Sequence, residues 1–208
     1  MAEPKTRCPI CGVEFLQATA ARTGGICMKC KKAVELEARL AQMPIYQPAQ
    51  PLTPWQLDEL IRTATPTELI DALFDPACDK VNFSPDQMTE GDIIVYTVCT
   101  YHGETLNGGF RQYLVNQSRL WAHRCGESLR RIGAEKYAAP IEKCIATFTK
   151  KRTPEAWEAD LQRYLDEHDE PFEEIEAPFW ELYRADKNEL MNLLADYIAK
   201  HPDVFATR

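Results

Sequence analysis

After residue 53 the apolar positions recur at helical spacing almost to the end of the chain. Phe110, Tyr113 and Leu114 fall at i, i+3 and i+4, and so share one helix face. Trp157, Leu161, Tyr164 and Leu165 form a second such stripe, and Leu190, Leu193, Leu194, Tyr197 and Ile198 a third. Helix starts are marked as clearly. Thr53-Pro54-Trp55-Gln56 sets a hydroxyl at the N-cap, proline at the first helical position and Gln at the third. Thr65-Pro66-Thr67-Glu68 repeats the device. Thr89-Glu90-Gly91-Asp92 opens a helix expected to reach about His102. Thr153-Pro154 and Asp186-Lys187-Asn188-Glu189 mark two later starts, while Pro140 should kink its helix or begin one. Alternating strand patterns with hairpin dipeptides are absent after residue 44. The expectation is a mainly α protein, with an all-α domain of about seven or eight helices over 54–208.

The N-terminal pattern differs. From Lys31 to about Met43 it is amphipathic and helical, with Val34, Leu36, Leu40 and Met43 among charged residues. Ahead of it stand Cys8-Pro9-Ile10-Cys11-Gly12 and Cys27-Met28-Lys29-Cys30, two C-x2-C pairs that each bend the chain so two thiolates face one metal. Together Cys8, Cys11, Cys27 and Cys30 make a closed tetrahedral donor set suited to one structural zinc ion. A four-thiolate iron site is the rival on ligand type alone. Gly12 suits the first turn, and Gly24-Gly25 a hairpin returning to the second pair. Residues 1–43 are thus expected to form a zinc ribbon with a connecting helix. Pro44, Pro48, Pro51 and Pro54 then arrive within eleven residues, which places a spacer at 44–53.

Between the helical stripes lies one sharp backbone event, Asn107-Gly108-Gly109-Phe110. Two adjacent glycines reach conformations closed to other residues, and Asn107 fits the same turn. The pair offers no phosphate cradle, because neither G-x-x-x-x-G-K-[ST] nor a strand–glycine–helix context is present. A structural joint between Ile93–Cys99 and the Phe110 helix is the expected reading.

The eight cysteines do not suggest a disulfide framework: four are in the C-x2-C pairs, and Cys78, Cys99, Cys125 and Cys144 are scattered, as in small buried hydrophobes. No run approaches the ~18 apolar residues of a membrane span, and Met1–Arg7 lacks a secretory pattern, so a cytoplasmic location is expected. His102, His123, His168 and His201 occur singly. With no H-E-x-x-H and no nucleophile elbow, no catalytic constellation is found and a non-enzymatic protein is expected. The net charge of −8 is mild, but its distribution is polar. Thr153–Tyr183 holds 11 acidic residues and one basic, whereas Arg111–Arg152 holds 10 basic and 3 acidic. Such polarity can steer a charged partner.

Asn107, Gly108, Gly109 and Phe110, followed by Gln112, Tyr113 and Asn116, resemble the signature of a bacterial helical family that includes a DNA-mimic protein. Ile132-Gly133-Ala134 with Ala138 is similar to the family's Ile-Gly-Ala helix pair. Phe179, Leu182, Leu190, Leu193, Leu194, Tyr197-Ile198, His201-Pro202 and Phe205 are similar to its closing helix. The resemblance spans Trp55 to Phe205 and implies the all-α fold. It also implies a sharper function: surface carboxylates standing in for DNA phosphates before a basic DNA-binding protein, such as a transcriptional regulator. The candidate partner face is Glu155, Glu158, Asp166, Glu167, Asp169, Glu170, Glu173, Glu174 and Glu176. The alternative is a nucleic-acid-associated adaptor. It would use the ribbon's Lys5, Arg7, Arg22, Lys29, Lys31 and Lys32 together with a basic face of Arg111, Arg119, Arg124, Arg130 and Arg131.

Overall fold

The computed structural model describes residues 3–42, 48–149, 157–168 and 172–206. The chain divides into two compact units, 1–47 and 48–208. Residues 44–47 of the expected spacer lie outside the described residues. Residues 48–53 carry no helix or strand.

In the first unit, β1 (Lys5–Arg7) and β2 (Glu14–Leu16) form an antiparallel hairpin in which Thr6 pairs with Phe15. The first cysteine pair occupies its turn, closed by Gly12 N–H donating to the Cys8 carbonyl at 2.8 Å and Cys8 N–H to that of Val13 at 2.9 Å. Helix α1 (Gln17–Thr23) follows and ends at Gly24, then α2 (Met28–Gln42). This departs from the expected ribbon. No second hairpin returns to Cys27 among the described residues; instead Lys31 N–H donates to the Cys27 carbonyl at 2.9 Å and the second pair opens α2. The physical reason is local: Met28 to Gln42 contains neither proline nor glycine, so a helix begun at the cysteines runs on unbroken.

The second unit is all helical among its described residues: α3 (Pro54–Thr63), α4 (Pro66–Phe83), α5 (Glu90–Val115), α6 (Ala122–Arg131), α7 (Glu135–Thr149), α8 (Trp157–Glu167), α9 (Glu173–Ala185), α10 (Glu189–Lys200) and the single turn α11 (Pro202–Phe205). Three starts are full capping boxes, Thr53 with Gln56, Thr65 with Glu68 and Thr89 with Asp92. Each satisfies two donors that a helix start leaves orphaned. The expected start at Pro154 lies outside the described residues. Asn188 caps α10 without a side-chain bond; Asp186 Oδ1 accepts from Asn188 N–H at 2.9 Å instead. Pro140 lies inside α7, which begins earlier at Glu135.

Helix α5 is the axis of this unit, touching α4, α6, α10 and α11, while α7 packs on α6, α8 and α9. Where the two layers meet, Tyr101 is fully buried against Phe110, Tyr113 and Phe179, with ring centroids 5.8, 5.7 and 5.5 Å away. Each ring contributes about 1.5–3 kcal/mol through burial, with ~0.5–1.5 kcal/mol more per edge-on pair. Phe172, Phe179, Trp180 and Tyr183 belong to or pack on this core. They form no exposed stacking platform. Among the described residues no helix is long and apolar enough to cross a membrane.

Candidate functional site

The sulfurs of Cys8, Cys11, Cys27 and Cys30 all lie within 4.8 Å of one another, with Cys11 and Cys27 at 3.6 Å. A tetrahedral ion with bonds near ~2.3 Å needs sulfurs about 3.8 Å apart, so the donor set fits such an ion. Three of the four cysteines are buried, and Cys11 is exposed. The backbone N–H of Cys27 points at Cys8 Sγ at 3.4 Å and lowers that thiol to about 6, which favours thiolate at neutral pH. Cys30 is driven the other way, to about 12, first by its hydrogen bond to Cys11. Four sulfurs this close resist ionising together unless a cation neutralises them. The arrangement is a possible metal centre, closed to further ligands.

The glycine pair is a joint inside α5. Gly108 and Gly109 are its non-helical residues; Asn107, expected to share the turn, stays helical. Gly109 takes φ +70° and ψ −170°, a region open essentially to glycine alone. The kink frees the Phe110 N–H, which donates to Glu176 Oε2 at 2.7 Å, and Trp180 Nε1 donates to Oε1 of the same carboxylate at 3.0 Å. On the outer side, Gln112 Nε2 and Asn116 Nδ2 both donate to Glu104 Oε2, at 2.9 and 2.8 Å. Glu104 thus braces the two halves of α5, and Arg111 lines an open depression beside them. Of the signature residues, Phe110 and Tyr113 serve the core, Gly108 and Gly109 the kink, and Gln112 and Asn116 the brace. Sequence reading could pair Glu104 only with nearby His102 and did not find the brace. Its partners lie 8 and 12 positions away, beyond the i+3 and i+4 spacing of neighbouring helix side chains and across the kink.

The acidic and basic stretches meet different fates. Asp166 and Glu167 on α8, and Glu173 and Glu174 on α9, are exposed. Asp166 accepts from Gln162 at 2.7 Å. Glu176 is turned inward onto Phe110 and Trp180, so its carboxylate is already engaged within the domain. Glu155, Asp169 and Glu170 lie outside the described residues, as does the side chain of Glu158. The arginines are mostly paired. Arg124 and Arg131 both reach Glu90, at 3.1 and 2.5 Å, and Arg130 pairs with Glu142. Arg119 donates to the Val115 carbonyl at 2.9 Å. Of the five arginines of the adaptor reading, Arg124, Arg130 and Arg131 thus hold carboxylates of their own domain, while Arg111 is exposed.

Burial pushes the Cys78 and Cys125 thiols up to about 11 and 12, and raises Cys99 and Cys144 as well, leaving them protonated. His102 is lowered by burial and lies against Tyr183, 6.1 Å between ring centres.

The family model described as DMP19-like protein matches residues 86–201, from just before α5 to the end of α10. No curated protein and no solved structure matches the chain.

Proposed function

The chain belongs to the DMP19-like protein family, and from that premise we propose that it is a non-enzymatic binding protein whose acidic α8–α9 surface engages a basic, DNA-binding protein in place of DNA. The observation that carries this reading is the asymmetry between the two charged stretches. Asp166, Glu167 and Glu174 are presented to solvent, whereas Arg124, Arg130 and Arg131 are matched by Glu90, Glu127 and Glu142 of the same domain. A basic partner thus meets carboxylates on a helical scaffold, and a nucleic acid meets arginines that already hold counter-charges. The resemblance of the signature to a family with a DNA-mimic member supports the same direction. The four-cysteine unit holds one structural zinc ion in this proposal, and its role is to fold residues 3–42.

The test is competitive. The zinc-loaded full chain is immobilised, partners are captured from lysate of its source organism, and excess duplex DNA is added. Release of a DNA-binding protein by the duplex is the expected result, with binding weakened by salt through screening. The quadruple variant Asp166→Asn, Glu167→Gln, Glu173→Gln and Glu174→Gln should lose that protein. A partner indifferent to DNA, or nucleic acid retained on the column, overturns the reading.

A further inference from the structure

We propose that the cleft between the start of α3 and α11 receives one arginine side chain from a peptide segment of a protein partner. This inference is independent of the acidic α8–α9 surface and lies on residues outside the family-matched segment. The cleft is lined by Pro54, Asp58, Pro202, Asp203 and Ala206, with a volume of about 250 Å³. That is below the ~300–1,000 Å³ typical of sites for whole small molecules. It suits one long side chain.

The walls state the chemistry. Pro54, Pro202 and Ala206 provide apolar surface for an aliphatic stem, while Asp58 comes from α3 and Asp203 from α11. Among the described residues neither carboxylate has a hydrogen-bond or ion-pair partner, and no cation lines the cleft. Asp58 therefore differs from its neighbour Glu59, which is paired with Arg62. Trp55, three positions before Asp58 on α3, is 70 % exposed, the most exposed large apolar side chain described. An exposed indole one helical turn from Asp58, at the edge of a cleft with two unpaired carboxylates, suits a planar, weakly hydrated cation, which can stack on a ring and donate several hydrogen bonds at once. Arginine fits better than lysine on both counts.

The frame is preorganised. Leu57 fixes α3 with its side chain fully buried, and the Thr53–Gln56 capping box sets its first turn. Phe205 anchors α11 edge-on to Tyr197, ring centres 6.0 Å apart. The Val204 carbonyl lies so close to α5 that a Cβ on Gly91 would come within 2.4 Å of it. Two fixed helix starts thus set the backbone positions of Asp58 and Asp203 before any ligand arrives.

Saturation-transfer NMR on the full, zinc-loaded chain tests this with the peptide acetyl-Ala-Arg-Ala-amide as probe, against the same peptide carrying citrulline. Saturable transfer to the arginine stem is expected, with half-saturation near about 1 mM for a contact of this size, and none to citrulline. The double variant Asp58→Asn, Asp203→Asn should weaken binding at least about tenfold with unchanged melting. Trp55→Ala, a change at an exposed side chain, should weaken it several-fold. Equal transfer to the citrulline peptide, or unaltered binding by the variants, overturns the proposal. Tighter binding of free agmatine than of the peptide overturns the peptide occupant. Concentration-dependent shifts at Trp55 without any peptide assign the cleft to a second copy and overturn it equally.

Discussion

The carboxylate of Glu176 accepts a hydrogen bond from the backbone N–H of Phe110, 66 residues earlier in the chain, at 2.7 Å. That N–H begins the second half of α5, where the kink has removed the carbonyl four residues back that would otherwise receive it. A donor this deep in the fold needs a substitute acceptor. Glu176→Ala should therefore cost about 1–3 kcal/mol in urea unfolding, and Glu176→Gln, which keeps one acceptor, less. A Glu176→Ala protein as stable as the original would show that the contact carries no weight.

The two adjacent glycines should respond differently to the same change. Gly109 has φ +70° and a Cβ there would approach Glu176 Oε2 to 2.6 Å, so Gly109→Ala combines backbone strain with loss of the carboxylate's position. Gly108 has φ −165°, an ordinary extended value, so Gly108→Ala brings no left-handed strain, but its added Cβ would crowd Gln112, whose own Cβ lies 2.9 Å away and whose amide braces Glu104. Thermal melting should show a loss at both positions, with Gly109→Ala lower by about 1–3 kcal/mol, the cost of its backbone conformation. Equal losses would mean that crowding rather than the left-handed conformation governs both.

Burial holds His102 below the ordinary imidazole value, and its Nε2 is buried with no partner among the described residues. The unfolded chain therefore binds a proton more readily than the folded one as pH drops. This contribution to stability is whole above about pH 6.5. It is lost as pH falls through the folded value. Melting temperature between pH 7.5 and 5.5 should fall less for His102→Leu than for the original chain. Parallel profiles would remove His102 from the pH response.

Metal content gives a separate check on the N-terminal unit. One equivalent of zinc should be released when the thiols are blocked, and chelation should erase the dispersed amide signals of residues 3–42. Cys27→Ser should do the same, since Cys27 supplies both a sulfur and the N–H that lowers Cys8. A thiolate charge-transfer band in the visible would reveal iron in zinc's place.

The helices were legible because their signals are local: the boxes at Thr53, Thr65 and Thr89, and the stripe along α10, are written within a few consecutive residues. The four-cysteine convergence was legible for the same reason. What sequence did not disclose is long-range direction. The helical period sets Glu176 on one face with Phe179, Trp180 and Tyr183, apart from Glu174. Nothing near it, however, names the Phe110 N–H as its partner, a consequence of how α9 lies on α7 and α5. The second cysteine pair was misplaced on a hairpin because Gly24-Gly25 is an equally good signal for the end of a short helix, which it proves to be.

The pairing of Arg124 and Arg131 with Glu90, and of Arg124 with Glu127, sets two carboxylates against two guanidinium groups and has a consequence for how the molecule behaves in electrolyte. These cations carry built-in counterions, so few small anions condense on that flank and few are liberated when anything approaches it. The dependence of complex formation on ionic strength should then count contacts on the anionic flank alone. A titration in salt becomes a census of the carboxylates that meet the partner.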